Sequence, residues 1–287
     1  MVYKSQSEWR WPIAVEMFCG GAAGGTYIIS AISYLLFGGR IFLAGVVASV
    51  VLALISILVL LADITSIWRT PRVFLNFKSP LALGATGLSL FMISSVLTIG
   101  IMHTGLAASA LYVIVWIGTA ASLLTLIYPG ILMGMMRAIP LWSGSGPSLL
   151  VLSSGLLVGA AVITVVGGLG NVNFNLSLVV LCLLVVYGII LLMYIIMGTQ
   201  GPKAAQMSVQ QLTHHGLSSI FWIGVVVIGF VIPLLLYILS PSEQILKIGS
   251  LLILIGGLLM RYSLLASGIK ISMLRDDAII ATYWLDH

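Results

Sequence analysis

Eight separate runs of the chain are long and apolar enough to cross a lipid bilayer, and this feature limits the fold more than any motif. A spanning helix needs about 20 apolar residues. The runs cover about 12–37, 41–67, 81–103, 108–135, 148–169, 176–198, 217–239 and 244–268. Polar or turn-forming residues separate them, such as Gly38-Gly39-Arg40, Arg137 to Pro147 and Ser240-Pro241-Ser242-Glu243. A transmembrane barrel would read as alternating segments of about 10 residues, and these runs are longer and uniformly apolar. In lipid the backbone must satisfy its own polar groups, which leaves helices. The expected class is an all-α integral membrane protein with eight transmembrane helices. We expect two four-helix bundles, residues 1–140 with the candidate site and residues 141–287.

Composition agrees with this reading. Only 7% of the 287 residues are charged, against about 25% in soluble domains. That excludes a soluble enzyme, whose exterior must be wetted. Cys19 and Cys182 are the only cysteines, too few for a secreted disulfide scaffold, and the hydrophobicity excludes disorder. The first run is too long for a signal peptide, and no cleavage site follows it. The longest loop, about 199–216, is too short to fold alone. The expected surroundings are the lipid bilayer and partner proteins, with no nucleic acid.

Eight spans put both termini on one side, called side A here. Lys4, Arg10, Arg69, Arg72, Lys78, Arg137, Lys203, Lys270 and Arg275 fall there, while Arg40 and Lys247 fall on side B. The positive-inside rule then makes side A cytoplasmic in a cell membrane. A basic face also suits an acidic partner.

Ionisable residues at membrane depth cost at least about 2.5–3.5 kcal/mol and mark function by default. Three qualify: Glu16 about one turn into the first span, Asp63 near the end of the second, and Arg261 in the last third of the eighth. Glu16 precedes Phe18-Cys19-Gly20-Gly21-Ala22-Ala23-Gly24-Gly25. Gly20 shares its face. The small-xxx-small pairs admit either a neighbouring backbone or the flat ring of a ligand. Asp63 lies close to Arg69 and Arg72, so a local ion pair is the plainer reading. Tyr128 stands just before Pro129, whose ring clashes with the carbonyl of Thr125 and removes a helix bond. Arg261 either snorkels to side A, the preferred reading, or pairs with an acid. Trp9 and Trp11 read as an interfacial aromatic belt.

No metal site is expected in this protein. A membrane haem is held by histidines at depth. Only His103 approaches a span, since His214 and His215 are in a loop and His287 is terminal. No Cys cluster suits iron–sulfur, and no His/Cys/Asp spacing suits zinc. The chain therefore has no redox centre of its own.

Three stretches together resemble the NrfD/polysulfide reductase membrane-subunit family, a broad group that includes the dimethyl sulfoxide reductase anchors. They are Trp9-Arg10-Trp11 with Gly21-Ala22-Ala23-Gly24-Gly25; Leu61-Ala62-Asp63 through Pro71-Arg72 to Ser79-Pro80; and Tyr128-Pro129-Gly130 with Pro140-Leu141-Trp142 and Pro147. The resemblance covers about residues 9–165, and the spacing between Asp63 and Pro71 departs from the family's pattern. It implies a quinol-reactive anchor joined to a ferredoxin-like iron–sulfur subunit carrying 4Fe-4S clusters and to a molybdopterin catalytic subunit. It also implies quinone or menaquinone as the bound substrate. Aligned on the glycine run, Glu16 stands where the polysulfide reductase type has a quinone-contacting histidine, and Tyr128 where it has a tyrosine.

The residues themselves suit that chemistry. Quinol oxidation releases two protons and two electrons, and a proton acceptor must lie within about 2.6–3.2 Å of the ring oxygen. Glu16 can take a proton, Tyr128 can hold the other oxygen, and Gly20 leaves room beside them. Asp63 would pass protons toward side A, and the basic loops at 69–78 and 137 would dock the electron-accepting partner. Two other readings are a secondary transporter and a purely structural anchor. Pro129 and Pro233 could be the matched helix breaks of a transporter, but no acid near Pro233 matches Glu16.

Overall fold

The computed structural model describes residues 2–6, 9, 11–37, 42–63, 79–105, 108–167, 172, 174–239 and 242–272. Among these, eight helical spans are long and apolar enough to cross a membrane. They are α1 (Trp11–Leu35), α2 (Leu43–Asp63), α3 (Pro80–Thr104), α4 (Ala108–Gly134), α5 (Gly146–Gly167) and α6 (Leu176–Gln200). The seventh is a π-wound segment, Ile220–Val231, running into α8 (Ile232–Leu239), and the eighth is α9 (Glu243–Ala266). The protein is a multi-pass membrane protein, and the apolar runs of the sequence locate its spans.

The spans end where the local chemistry stops a helix. Gly105 closes α3 in the left-handed region at φ 70°, donating its N–H to the Ile101 carbonyl, a conformation that suits glycine. Asn175 caps α6 by accepting from the Leu178 N–H. Pro129 sits inside α4, which continues to Gly134. The seventh span changes its winding just ahead of Pro233, and the Ile232 N–H reaches the Val227 carbonyl, an i→i+5 bond. Such wide turns are rare and usually short.

α1 is the hub. It packs on α2, α4, α5 and α9, and α5 in turn packs on α4, α6 and α9. The glycine run makes this possible. A Cβ at Gly24 would lie 2.8 Å from the Ser122 carbonyl of α4. One at Gly25 would run into the Gly155 carbonyl of α5. Such close backbone approach is how spans associate where the surroundings are as apolar as the side chains.

Two features at side A carry no signal in the sequence. Residues 2–5 and 269–272 pair as an antiparallel two-stranded ribbon, with Tyr3 opposite Ile271 and Lys4 opposite Lys270. This holds both ends of the described protein at one end of the bundle. The 199–216 segment also carries a helix, α7 (Lys203–Thr213). The ribbon is tied to its surroundings, since Ile269 N–H donates to Ser208 Oγ of α7 and Ile271 N–H to the Ala138 carbonyl. Trp142 is buried beneath this layer, donating Nε1–H to the Leu264 carbonyl at 3.1 Å. Trp9 stacks on it at 5.4 Å between centroids, so Trp9 is a packing residue. Trp11 is exposed, as a residue of the interfacial belt would be.

Candidate functional site

The two residues picked out in the first and fourth spans meet. Tyr128 Oη donates a hydrogen bond to Glu16 Oε1 at 2.6 Å, across 112 residues of sequence. The length is that of a strong O–H···O bond. Each residue is almost enclosed, Glu16 at 6% and Tyr128 at 8% exposure. Both stand within about two turns of side A, Glu16 near the start of α1 and Tyr128 near the end of α4. They converge on one point and bond to each other, so they do not stand apart at the two ends of a ring.

Two further helices build the surroundings. On α2, Ser56 Oγ donates to the Glu16 carbonyl at 3.2 Å. On α3, Gly84 lies directly against the Tyr128 ring. Gly20 shares the face of Glu16 as expected, but a Cβ there would lie 3.3 Å from Ser56 Oγ and 4.0 Å from Glu16 Oε1. The space at Gly20 is therefore filled by α2, and the missing side chain brings Ser56 to the acid. Ser56 is a residue that sequence reasoning misses, since one hydroxyl in an apolar helix carries no signal of its own.

Asp63 is the last residue of α2, about two turns beyond Ser56 toward side A, and its side chain is outside the described structure. Arg10, Arg40, Arg69, Arg72, Lys78 and Arg275 also lie outside the described residues. Of the expected docking loops, only Arg137 is described, and it is exposed at side A together with Lys4 and Lys203.

Arg261 corrects the expectation of a snorkelling side chain. It is 0% exposed. Its guanidinium lies over Gly21 of α1, with its carbon 5.6 Å from the Phe18 ring centroid. One nitrogen, Nη1, donates to the Gly257 carbonyl at 3.0 Å, whereas Nε and Nη2 have no partner among the described residues. Nor does it pair with an acid: the ion pair found among the described residues is Lys247 with Glu243 at 2.9 Å, on the surface. Snorkelling needs a straight route to the interface, and α1 and α9 close that route. Sequence gives the depth of a residue on a helix but not which helix covers it.

Among the described residues no three His, Cys, Asp or Glu side chains gather as metal ligands. Cys19 is buried and Cys182 exposed, both unpaired. A cavity of about 330 Å³ opens at side A between the 140–147 loop and the α6–α7 turn. None of Glu16, Tyr128 or Arg261 lines it.

Comparison with known proteins adds the family. The sequence is 25% identical to that of a polysulfide reductase subunit of Wolinella succinogenes, over 91% of this protein and 94% of that one. The sequence profile described as polysulphide reductase, NrfD, matches residues 3–272. With the glycine-lined first span, the Tyr128–Glu16 contact and eight membrane-crossing helices in place, that nearly complete match establishes that the chain belongs to the polysulphide reductase NrfD family.

Proposed function

We propose that this protein is the quinol-reactive membrane subunit of a molybdopterin and iron–sulfur oxidoreductase, with Glu16 and Tyr128 at its quinol site. The observation that carries the reading is the 2.6 Å bond between these two side chains, drawn from opposite ends of the α1–α4 half and buried near one membrane face. Membership of a family whose relative is named a polysulfide reductase subunit supports it.

Oxidising a quinol to a quinone removes two protons and two electrons. Glu16, as its carboxylate, accepts the first proton, releases it toward side A and, ionised again, accepts the second. Tyr128 fixes the carboxyl through Oε1 and presents the acid to a single ring oxygen. Ser56 anchors the α1 backbone at the same level. Asp63, two turns nearer side A on α2, is the candidate next acceptor on the way out. The electrons go to a 4Fe-4S cluster of a ferredoxin-like partner, which passes them to the molybdopterin subunit. Reduction of a quinone runs the same steps backwards.

Side A is the docking face in this reading, and by its excess of Lys and Arg it is cytoplasmic. Lys4 is exposed on the ribbon at side A. Lys203 opens α7, where a cation meets the positive end of the helix dipole. That placement favours an acidic partner surface.

Purification in mild detergent, with mass spectrometry of what remains bound, tests the assembly. Recovery of an iron–sulfur subunit and a molybdopterin subunit is expected. Solute uptake by proteoliposomes holding this protein alone would instead favour a transporter. Tyr128→Phe tests the site. It removes the hydrogen bond but not the acid, so quinol turnover should fall by about 10- to 150-fold, in line with about 1.5–3 kcal/mol for a bond to a charged group. Turnover unchanged from wild type would remove Tyr128 from the site.

A further inference from the structure

The hydroxyl of Tyr128 reaches Glu16 because of where the phenol ring lies, and a glycine on a third helix decides that. Gly84 of α3 is buried against the ring. A Cβ there would run into Cδ2 and lie 2.7 Å from both Cγ and Cε2 of Tyr128. Cγ is the root of the ring, so flipping the ring about its own axis does not clear it. Either the side chain turns about its first torsion, which swings the hydroxyl away, or α4 backs off from α3. The second escape is closed. Gly130 is two residues past Tyr128, so about 200° around the same helix, and it lies against α5. A Cβ there would be 2.8 Å from Ser148 N and 3.1 Å from the Pro147 carbonyl carbon. α4 is therefore held between α3 on the Tyr128 side and the first turn of α5 on the other. Gly87, one turn along α3, receives Leu124, one turn back along α4. A Cβ at Gly87 would lie 3.1 Å from Leu124 Cγ and Cδ2, a crowding that a small shift relieves. Two glycines on one face of α3 thus take two side chains of α4, with slight tolerance at Gly87 and none at Gly84.

We infer that Gly84 is a positioning residue: its missing side chain is the seat that fixes the Tyr128 phenol, and with it the bond to Glu16. A hydrogen bond of 2.6 Å is lost once the hydroxyl moves by about 1 Å or turns out of line. α3 thus shapes the site together with α1, α2 and α4. The inference deepens the proposed function and rests on it for the effect on turnover, whereas the seat itself exists without a quinol.

Fluorine NMR of the full-length protein in detergent, labelled with 3-fluorotyrosine, tests this without any quinol. One of the ten tyrosine signals is assigned to Tyr128 by its loss in Tyr128→Phe. Removing the acceptor with Glu16→Ala should move that signal when Gly84 is present. In the Gly84→Ala background the same change should leave the signal in place, because the bond is already gone. Equal displacement in the two backgrounds would overturn the inference, since the bond would have survived the added methyl. Gly87→Ala is the packing control, and there Glu16→Ala should move the signal as in wild type. Loss of that response in Gly87→Ala would also overturn the inference, because crowding anywhere on α3 would then suffice. If Gly84→Ala does not yield folded protein, Tyr128→Ala, which removes the ring, is added to it. Recovery of the fold upholds the seat, and no recovery rejects it. In the assembled complex, Gly84→Ala should lower quinol turnover by about 10- to 150-fold, as loss of the same bond does in Tyr128→Phe. It should add little in the Tyr128→Phe background, whereas an equal further loss there would leave Gly84 a packing residue. A signal uncoupled from Glu16 with undiminished turnover would uphold the seat and reject the quinol site.

Discussion

Replacing Glu16 with Gln should lower quinol-dependent turnover of the assembled complex by at least about 100-fold, the usual contribution of a positioned proton acceptor. A dye that reduces the catalytic subunit directly should still be turned over. Gln has nearly the shape of Glu, and its amide oxygen can still accept the Tyr128 bond now made at 2.6 Å. The packing of Ser56 against Gly20 is untouched. What disappears is the ability to take a proton, so a loss confined to the quinol-driven reaction would report that step alone. Stopped-flow measurement with a water-soluble quinol and with the dye, on the same preparation, gives both numbers. Undiminished quinol oxidation would place the site elsewhere. A structural anchor would show no difference between the two assays.

The second large effect belongs to the helix interface. Gly25→Val should abolish the folded protein at temperatures that wild type tolerates, judged by size-exclusion profile and thermal midpoint in detergent. A Cβ at Gly25 meets the backbone of α5, with the Gly155 carbonyl carbon at 2.9 Å and Gly159 Cα at 3.2 Å. Seen from α5, a Cβ at Gly159 would lie 2.6 Å from Gly25 Cα. Backbone cannot rotate aside as a side chain does, so α1 and α5 must separate. Over-packing usually costs about 1–3 kcal/mol, and here the added cost is the attraction between two central spans, which comes from close packing. Gly100→Ala is the control: nothing lies within 4 Å of the new carbon, and the midpoint should hold. If Gly25→Val proved as stable as the control, the close approach of α1 and α5 would be wrong.

Much of this architecture is legible in the sequence because lipid leaves a polypeptide few options. Length and apolarity alone locate the spans, with boundaries a few residues from those observed; the sixth apolar run, for instance, covers 176–198, whereas its helix continues to Gln200. Glu16 stands out because few carboxyls lie at depth, and Tyr128 because the glycine run gives a register for the resemblance. Their direct bond is not legible that way. It depends on the rotation of α1 and α4 about their axes, which small residues on several faces leave undetermined. Arg261 defeats a sequence reading for the same reason, since its neighbours come from α1, some 240 residues earlier. The ribbon is invisible in the sequence because four residues at each end carry almost no periodic signal, and its partners lie at opposite ends of the protein.

That ribbon also bears on the order of assembly. Residues 2–5 leave the ribosome ahead of all eight spans, and residues 269–272 follow after the last of them. Strand pairing between them therefore cannot happen until all eight spans have been synthesised. A protein with one span misthreaded would leave its two strands on opposite sides of the membrane, unable to pair.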